Sequence, residues 1–114
     1  METCLFCCIV DGSIPSTTVY QDEYVTAFRD IEPQAPVHVL VVPNEHVASV
    51  NDLDEAHEAV MGRLLRATKL VAEREGVAET GYRLAVNTGT HAMQSVAHLH
   101  MHVLGGRQLG WPPG

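Results

Sequence analysis

Apolar and polar positions change their period several times along the chain, and each change predicts a different element. Leu5–Val10 is apolar at almost every position and runs into Asp11-Gly12-Ser13-Ile14-Pro15, a turn cluster, which predicts one short helix. Thr18–Gln21 and Tyr24–Arg29 are short β-prone runs on either side of Asp22-Glu23, the pattern of a hairpin. Pro33-Gln34-Ala35-Pro36 forces an extended connection, because the residue before a proline is driven out of the helical region. Val37-His38-Val39-Leu40-Val41-Val42 is so rich in β-branched residues that it predicts a strand central in its sheet, stopped by Pro43.

Between Asp52 and Glu75 the period becomes helical. Leu53, Ala56, Val60, Leu64, Ala67 and Val71 recur at steps of three and four, an apolar stripe suited to lying on a sheet. Asp52 is the expected N-cap with Glu55 three residues on, and Gly76 the expected stop. Tyr82–Asn87 and His98–Leu104 read as two further strands joined by residues 88–95. Gly105-Gly106 breaks the last strand, and Trp111-Pro112-Pro113-Gly114 follows without regular structure. Strands with short links around one long helix make an α+β sheet-and-helix layer.

His98-Leu99-His100-Met101-His102-Val103 alternates strictly. On a strand all three histidines then share one face, roughly 6.5–7 Å apart, with Leu99, Met101 and Val103 on the other. An amphipathic strand could use Thr, Lys or Glu on its wet side, so imidazoles here point to chemistry: metal binding, proton transfer or nucleophilic attack. Adjacent rings disfavour double protonation, and a ring whose one nitrogen donates to a carbonyl presents the other as a free lone pair. His38, on the central strand, is a candidate fourth ring.

Composition narrows the choice. At 114 residues and 12.4 kDa the chain suits a single domain, residues 1–114, large enough to bury a core without staples. With 46% hydrophobic and 18% charged residues and a mean hydropathy of +0.01, it reads as an ordinary globular protein. No apolar run reaches the ~18 residues of a membrane helix. Met1-Glu2-Thr3 lacks the basic start of an export signal, so no membrane is expected as partner. Seven Lys and Arg against 14 Asp and Glu give −7, which argues against binding nucleic acid. Cys4, Cys7 and Cys8 lie within five residues and would close no long loop, which fits a reducing, cytoplasmic setting better than a disulfide scaffold. Cys4-Leu5-Phe6-Cys7 has the spacing of a zinc half-site, with His46 and His98 as candidates for the other half; the alternative is a small apolar pair on a helix.

Gln94-Ser95-Val96-Ala97-His98-Leu99-His100-Met101-His102-Val103 closely resembles the His-x-His-x-His-apolar signature of the histidine triad (HIT) superfamily. Phe28 to His38, Gly81 to Asn87, and Leu104 through Trp111-Pro112-Pro113-Gly114 extend the likeness over essentially the whole chain, toward its histidine triad nucleotide-binding (Hint) branch of the bacterial zinc-containing type. The resemblance implies a HIT-like fold: about five antiparallel strands with one long and one short helix, joined across a homodimer, and residues 105–114 as a tail near the active site. It implies a hydrolase or transferase acting on purine nucleoside 5′-phosphoramidates or adenylated adducts through a nucleotidyl-histidine intermediate. Cleavage of dinucleoside polyphosphates, or a non-catalytic nucleotide- or zinc-binding module, are the alternatives.

Residue by residue, His100 matches the nucleophile, His102 a partner of the phosphate oxygens, and His38 a supporting ring. Ser95 matches a donor to the phosphoryl and leaving groups, set between Gln94 and Val96. Asp30 matches the acceptor of ribose hydroxyls, Phe6, Ile9, Phe28 and Ile31 the walls of a base pocket, Asn87 a polar group near phosphate, and Trp111 a tail contact. Read without the resemblance, Phe28 and Ile31 could be core, while Asp30 and Asn87 could be turn-formers. Relatives of the bacterial type ligate structural zinc through residues matching Cys4, Cys7, His46 and His98, which leaves His57 and His91 as exposed or local hydrogen-bonders. One departure stands out: Ala92-Met93 occupy a place where glycine is common, so an altered phosphate loop is expected, with Met93 projecting toward the leaving group.

Overall fold

The strands β1 (Thr18–Gln21), β2 (Val25–Arg29), β3 (Val37–Pro43), β4 (Tyr82–Val86) and β5 (Met101–Gly105) form one antiparallel sheet in the order β1-β2-β3-β5-β4. They are seen in a computed structural model that describes residues 4–114; the Met1-Glu2-Thr3 start lies outside the described residues. The β-branched run is the middle strand, as its composition requires, and it works on both faces. Val39 and Val41 pack with Val25, Ala27, Leu99 and Val103 against Leu64, Ala67 and Val71 of the long helix α2 (Glu58–Arg74). Leu40 and Val42 face the other way and pack with Phe28 and with Phe6 of the short helix α1 (Leu5–Val10). Each fully buried valine contributes roughly 1.5–3 kcal/mol, so β3 anchors two cores at once.

The predicted hairpin forms because Asp22 closes it: its Oδ1 accepts from the backbone of Tyr24 at 2.7 Å and Val25 at 2.9 Å. The long helix begins later than its apolar period suggests. Leu53 is extended, and 3-10 turns at Val50–Asp52 and Glu55–His57 precede Glu58. Asp54, rather than Asp52, makes the capping box: its carboxylate accepts from Ala56 N at 2.9 Å, and His57 Nδ1 accepts from Asp54 N at 3.0 Å. Ala56 is consequently exposed and leaves the stripe, whereas Leu53 still packs on the core. Gly76, at φ +76, ends the helix as expected.

The last strand also starts late. His98, Leu99 and His100 precede the ladder, because Leu99 N donates to Val47 O at 2.6 Å, in the loop after β3, and not to a neighbouring strand. Alternation survives this change, since Leu99 and Val103 join the α2 core while the histidine rings gather on the α1 side. No helix among the described residues is long and apolar enough to cross a membrane.

Candidate active site and metal centre

On the α1 side of the sheet, His100 and His102 have ring centroids 5.1 Å apart, and His38 stands 5.1 Å from His102. Their protons can be assigned from fixed backbone groups. His98 O accepts from His100 Nδ1 at 2.8 Å, so the lone pair of His100 is on Nε2. Gln34 N–H donates to His38 Nδ1 at 3.0 Å, so the His38 proton is on Nε2 and is donated to His102 Nδ1 at 2.8 Å. That leaves His102 with its proton on Nε2, a buried atom with no partner among the described residues. Both rings must be neutral for this chain of bonds. Burial first, then the neighbouring His100 and His38, pushes the His102 pKa down to about 4, and burial lowers His38 against the opposing charge of Asp30.

His100 and His102 line a cavity of about 880 Å³. Phe6, Phe28 and Leu40 form its apolar side, with Leu5 and Ile9 from α1 and Val96. Phe6 meets His100 edge-on at 5.1 Å and Phe28 at 5.3 Å. Asp30, Ile31 and Ser95 also line it. Asp30 is turn-former and lining residue together: Oδ1 accepts from Glu32 N at 2.8 Å, while Oδ2 lies 3.5 Å from His38 Nε2. Phe28 is core and wall at once, whereas Ile31, 95% exposed, belongs to no core.

Four further ligand atoms converge at the start of α1. Cys4 Sγ is 3.3 Å and Cys7 Sγ 3.6 Å from His98 Nδ1, while His46 Nδ1 is 3.2 Å from His98 Nδ1 and 3.5 Å from Cys7 Sγ. One Nδ1 cannot share a proton with three neighbours. Those separations match four of the six edges of a tetrahedron around zinc, for which bonds of about 2.0–2.3 Å give N–N and N–S edges of roughly 3.3–3.6 Å. Behind the ligands, His98 Nε2 donates to Pro43 O at 2.9 Å, the outer contact that orients a ligating imidazole. Burial, then the hydrogen bond and charge of Cys4, pushes the Cys7 thiol up to about 11, a penalty that a bound dication would reverse. The donor set therefore fits zinc.

Other expected site residues lie apart. Asn87 directly follows β4, outside the cavity lining. The Gln94 amide holds its own loop, accepting from Gly89 N at 3.0 Å and donating to Ala48 O at 2.7 Å and Val96 O at 3.0 Å. Trp111 is 81% exposed beside Arg83, whose guanidinium is 5.8 Å from the indole. Met93 takes φ 62 and ψ 41, the glycine-like conformation, with its side chain 82% exposed and outside the cavity lining. His57 is a local hydrogen-bonder and His91 is exposed. Sequence reasoning passed over Leu40, whose two-residue offset from His38 on β3 was the available signal, and the backbone N–H of Gln34, which has none.

Residues 11–109 match the HIT domain family. Purine nucleoside phosphoramidase of Escherichia coli (strain K12) is 52% identical over 109 residues, 96% of this chain and 92% of that protein. The 14 kDa zinc-binding protein of Zea mays is 49% identical over 108 residues, 93% and 84% of the two chains. The crystal structure of a HIT family hydrolase from Legionella pneumophila Philadelphia 1 superposes with a TM-score of 0.96 at 46% identity, covering 98% of this chain and 100% of the other.

Proposed function

The chain belongs to the HIT domain family, and we propose that it is a hydrolase of purine nucleoside 5′-phosphoramidates and related adenylated adducts. The reading adds a structural zinc on Cys4, Cys7, His46 and His98, a homodimer and a cytoplasmic setting. The observation that carries it is the proton order of the two rings that line one cavity: His98 O leaves a lone pair on His100 Nε2, and the Gln34–His38–His102 chain leaves an unpartnered donor on His102 Nε2.

The base lies between Phe6, Ile9, Phe28 and Ile31, and the ribose hydroxyls donate to Asp30, whose charge is kept at the sugar end, away from phosphate. His100 Nε2 attacks the α-phosphorus, forming a P–N bond to the ring as the bond to the leaving amine breaks. His98 O already holds the Nδ1 proton and so stabilises the imidazolium character that attack creates. His102 Nε2–H donates to a phosphate oxygen, and the Ser95 hydroxyl hydrogen-bonds the departing nitrogen, which takes a proton from solvent and leaves as the neutral amine; the water that attacks next returns that proton. Water then attacks the same phosphorus and displaces His100, releasing the nucleoside monophosphate. Zinc ties α1 to the sheet and takes no part in these steps. Two β4 edges would join the sheets of the dimer, and Trp111 would reach the partner's site. His100→Ala is expected to bind a nucleoside monophosphate yet lose at least about a thousandfold in turnover of a purine nucleoside phosphoramidate. Retained turnover would overturn the assignment of the nucleophile.

A further inference from the structure

Arg107 follows β5 and is one of seven Lys and Arg residues, yet it makes no ion pair among the described residues. Its guanidinium instead bridges two backbone carbonyls: Nη2 donates to Gln34 O at 3.0 Å and Nη1 to Gln108 O at 3.2 Å. Gln34 is the residue whose N–H donates to His38 Nδ1. The loop around it is closed locally, with Glu32 N donating to Asp30 Oδ1 and Gln34 Nε2 donating to Glu32 O at 3.0 Å. Those bonds shape the loop but do not attach it to the chain after β5. Two contacts do. Gly106, at φ +90, lies so close to Pro36 that an added Cβ would be 2.9 Å from Pro36 Cβ, and Arg107 clasps Gln34 O.

We propose that Arg107 is a positioning residue: by holding Gln34 O it restrains the backbone at Gln34, whose own N–H, one peptide earlier, is thereby kept on His38 Nδ1, and so selects the His102 tautomer that offers Nε2–H to the phosphate. Without the clasp the backbone can rotate about Gln34 Cα and carry its N–H off His38 Nδ1, the His38 proton can settle on Nδ1, and the His38–His102 bond then has to reverse. The same guanidinium holds Gln108 O, so the tail that carries Trp111 and the proton order of the histidines share one anchor. This role presupposes the phosphoramidase reading above, but it has a readout of its own.

The test compares wild type with Arg107→Met and Arg107→Lys, using long-range ¹⁵N correlation of the imidazole rings at neutral pH together with steady-state kinetics. In wild type, His38 and His102 should each show a single Nε2–H tautomer. Arg107→Met is expected to move the His38 signals toward the average of two tautomers and to lower kcat about tenfold, with KM changed less than about twofold. Arg107→Lys, which restores one donor, is expected to recover the wild-type ring pattern. Because Arg107 is exposed, folding should survive; if the Met variant does not fold, Arg107→Leu carries the same comparison. An unchanged His38 tautomer in the Met variant overturns the proposal whatever kcat does. If wild type hydrolyses no phosphoramidate, the functional reading fails, while the ring spectra still decide the role of Arg107.

Discussion

Met93 shows how a residue can keep a backbone shape that its side chain dislikes. It ends the 3-10 turn Thr90–Ala92 in the left-handed region, φ 62 and ψ 41, which glycine adopts most readily. A non-glycine residue there costs roughly 1–2 kcal/mol, offset by the roughly 0.5–1 kcal/mol that glycine loses through its freer unfolded chain. Met93→Gly is therefore expected to raise stability by about 0.5–1 kcal/mol in urea unfolding. Since the side chain lies outside the cavity lining, turnover should change less than about twofold. Loss of stability would mean that the methionine makes a contact in the assembled protein. Position 93 thus takes a glycine-like backbone conformation in spite of its side chain. Spacing alone could not show this, since the sequence records a side chain and not a φ angle.

Helix α1 is the element least able to stand by itself. Its six residues are far below the ~12–15 at which an isolated helix is even marginal, and it has no acidic residue in its first turn and no basic residue in its last. Phe6 is its only buried residue, so under the zinc reading Cys4 and Cys7 would hold the walls formed by Leu5, Phe6 and Ile9. Protein purified without chelator should carry about one zinc per chain; less than about a tenth would sink the assignment. Stripping the metal should increase amide exchange over Leu5–Val10 at least about tenfold, with α2 and β3 unaffected, as expected for local opening. Unchanged protection of α1 would mean that Phe6 suffices. The same element marks the limit of what could be read from the chain. The alternation of β3 and the period of α2 were legible because burial repeats at fixed steps. The late start of β5 was not, because His98 turns its ring to Pro43 O and the cysteines, and Leu99 bonds to Val47: contacts made across 52 to 94 residues of sequence.

At the scale of the molecule, a net charge of −7 is compatible with the anionic substrate proposed above, because the cavity offers imidazoles and the Ser95 hydroxyl as partners and needs no basic surface. What the single chain leaves incomplete lies on the β4 side. β4 is an edge strand, and all five of its residues are only half-buried. Beside it, a cavity of about 590 Å³ is lined by Tyr82, Leu84 and Leu65, the last 54% exposed on α2. An unpaired edge next to exposed apolar surface favours pairing with a second copy, and a two-fold axis would bring both edges together. Arg83 is on this strand, donates to Gly110 O at 2.8 Å and flanks Trp111, so pairing at β4 would carry both tails toward the junction. Wild type should therefore elute as a dimer. Deletion of residues 110–114 should leave it dimeric, because the strand edge is intact, but should change relative kcat/KM across phosphoramidates with different amines by at least about fivefold. Identical selectivity over that panel would exclude the tail from the site, and a monomeric wild type would exclude the shared sheet.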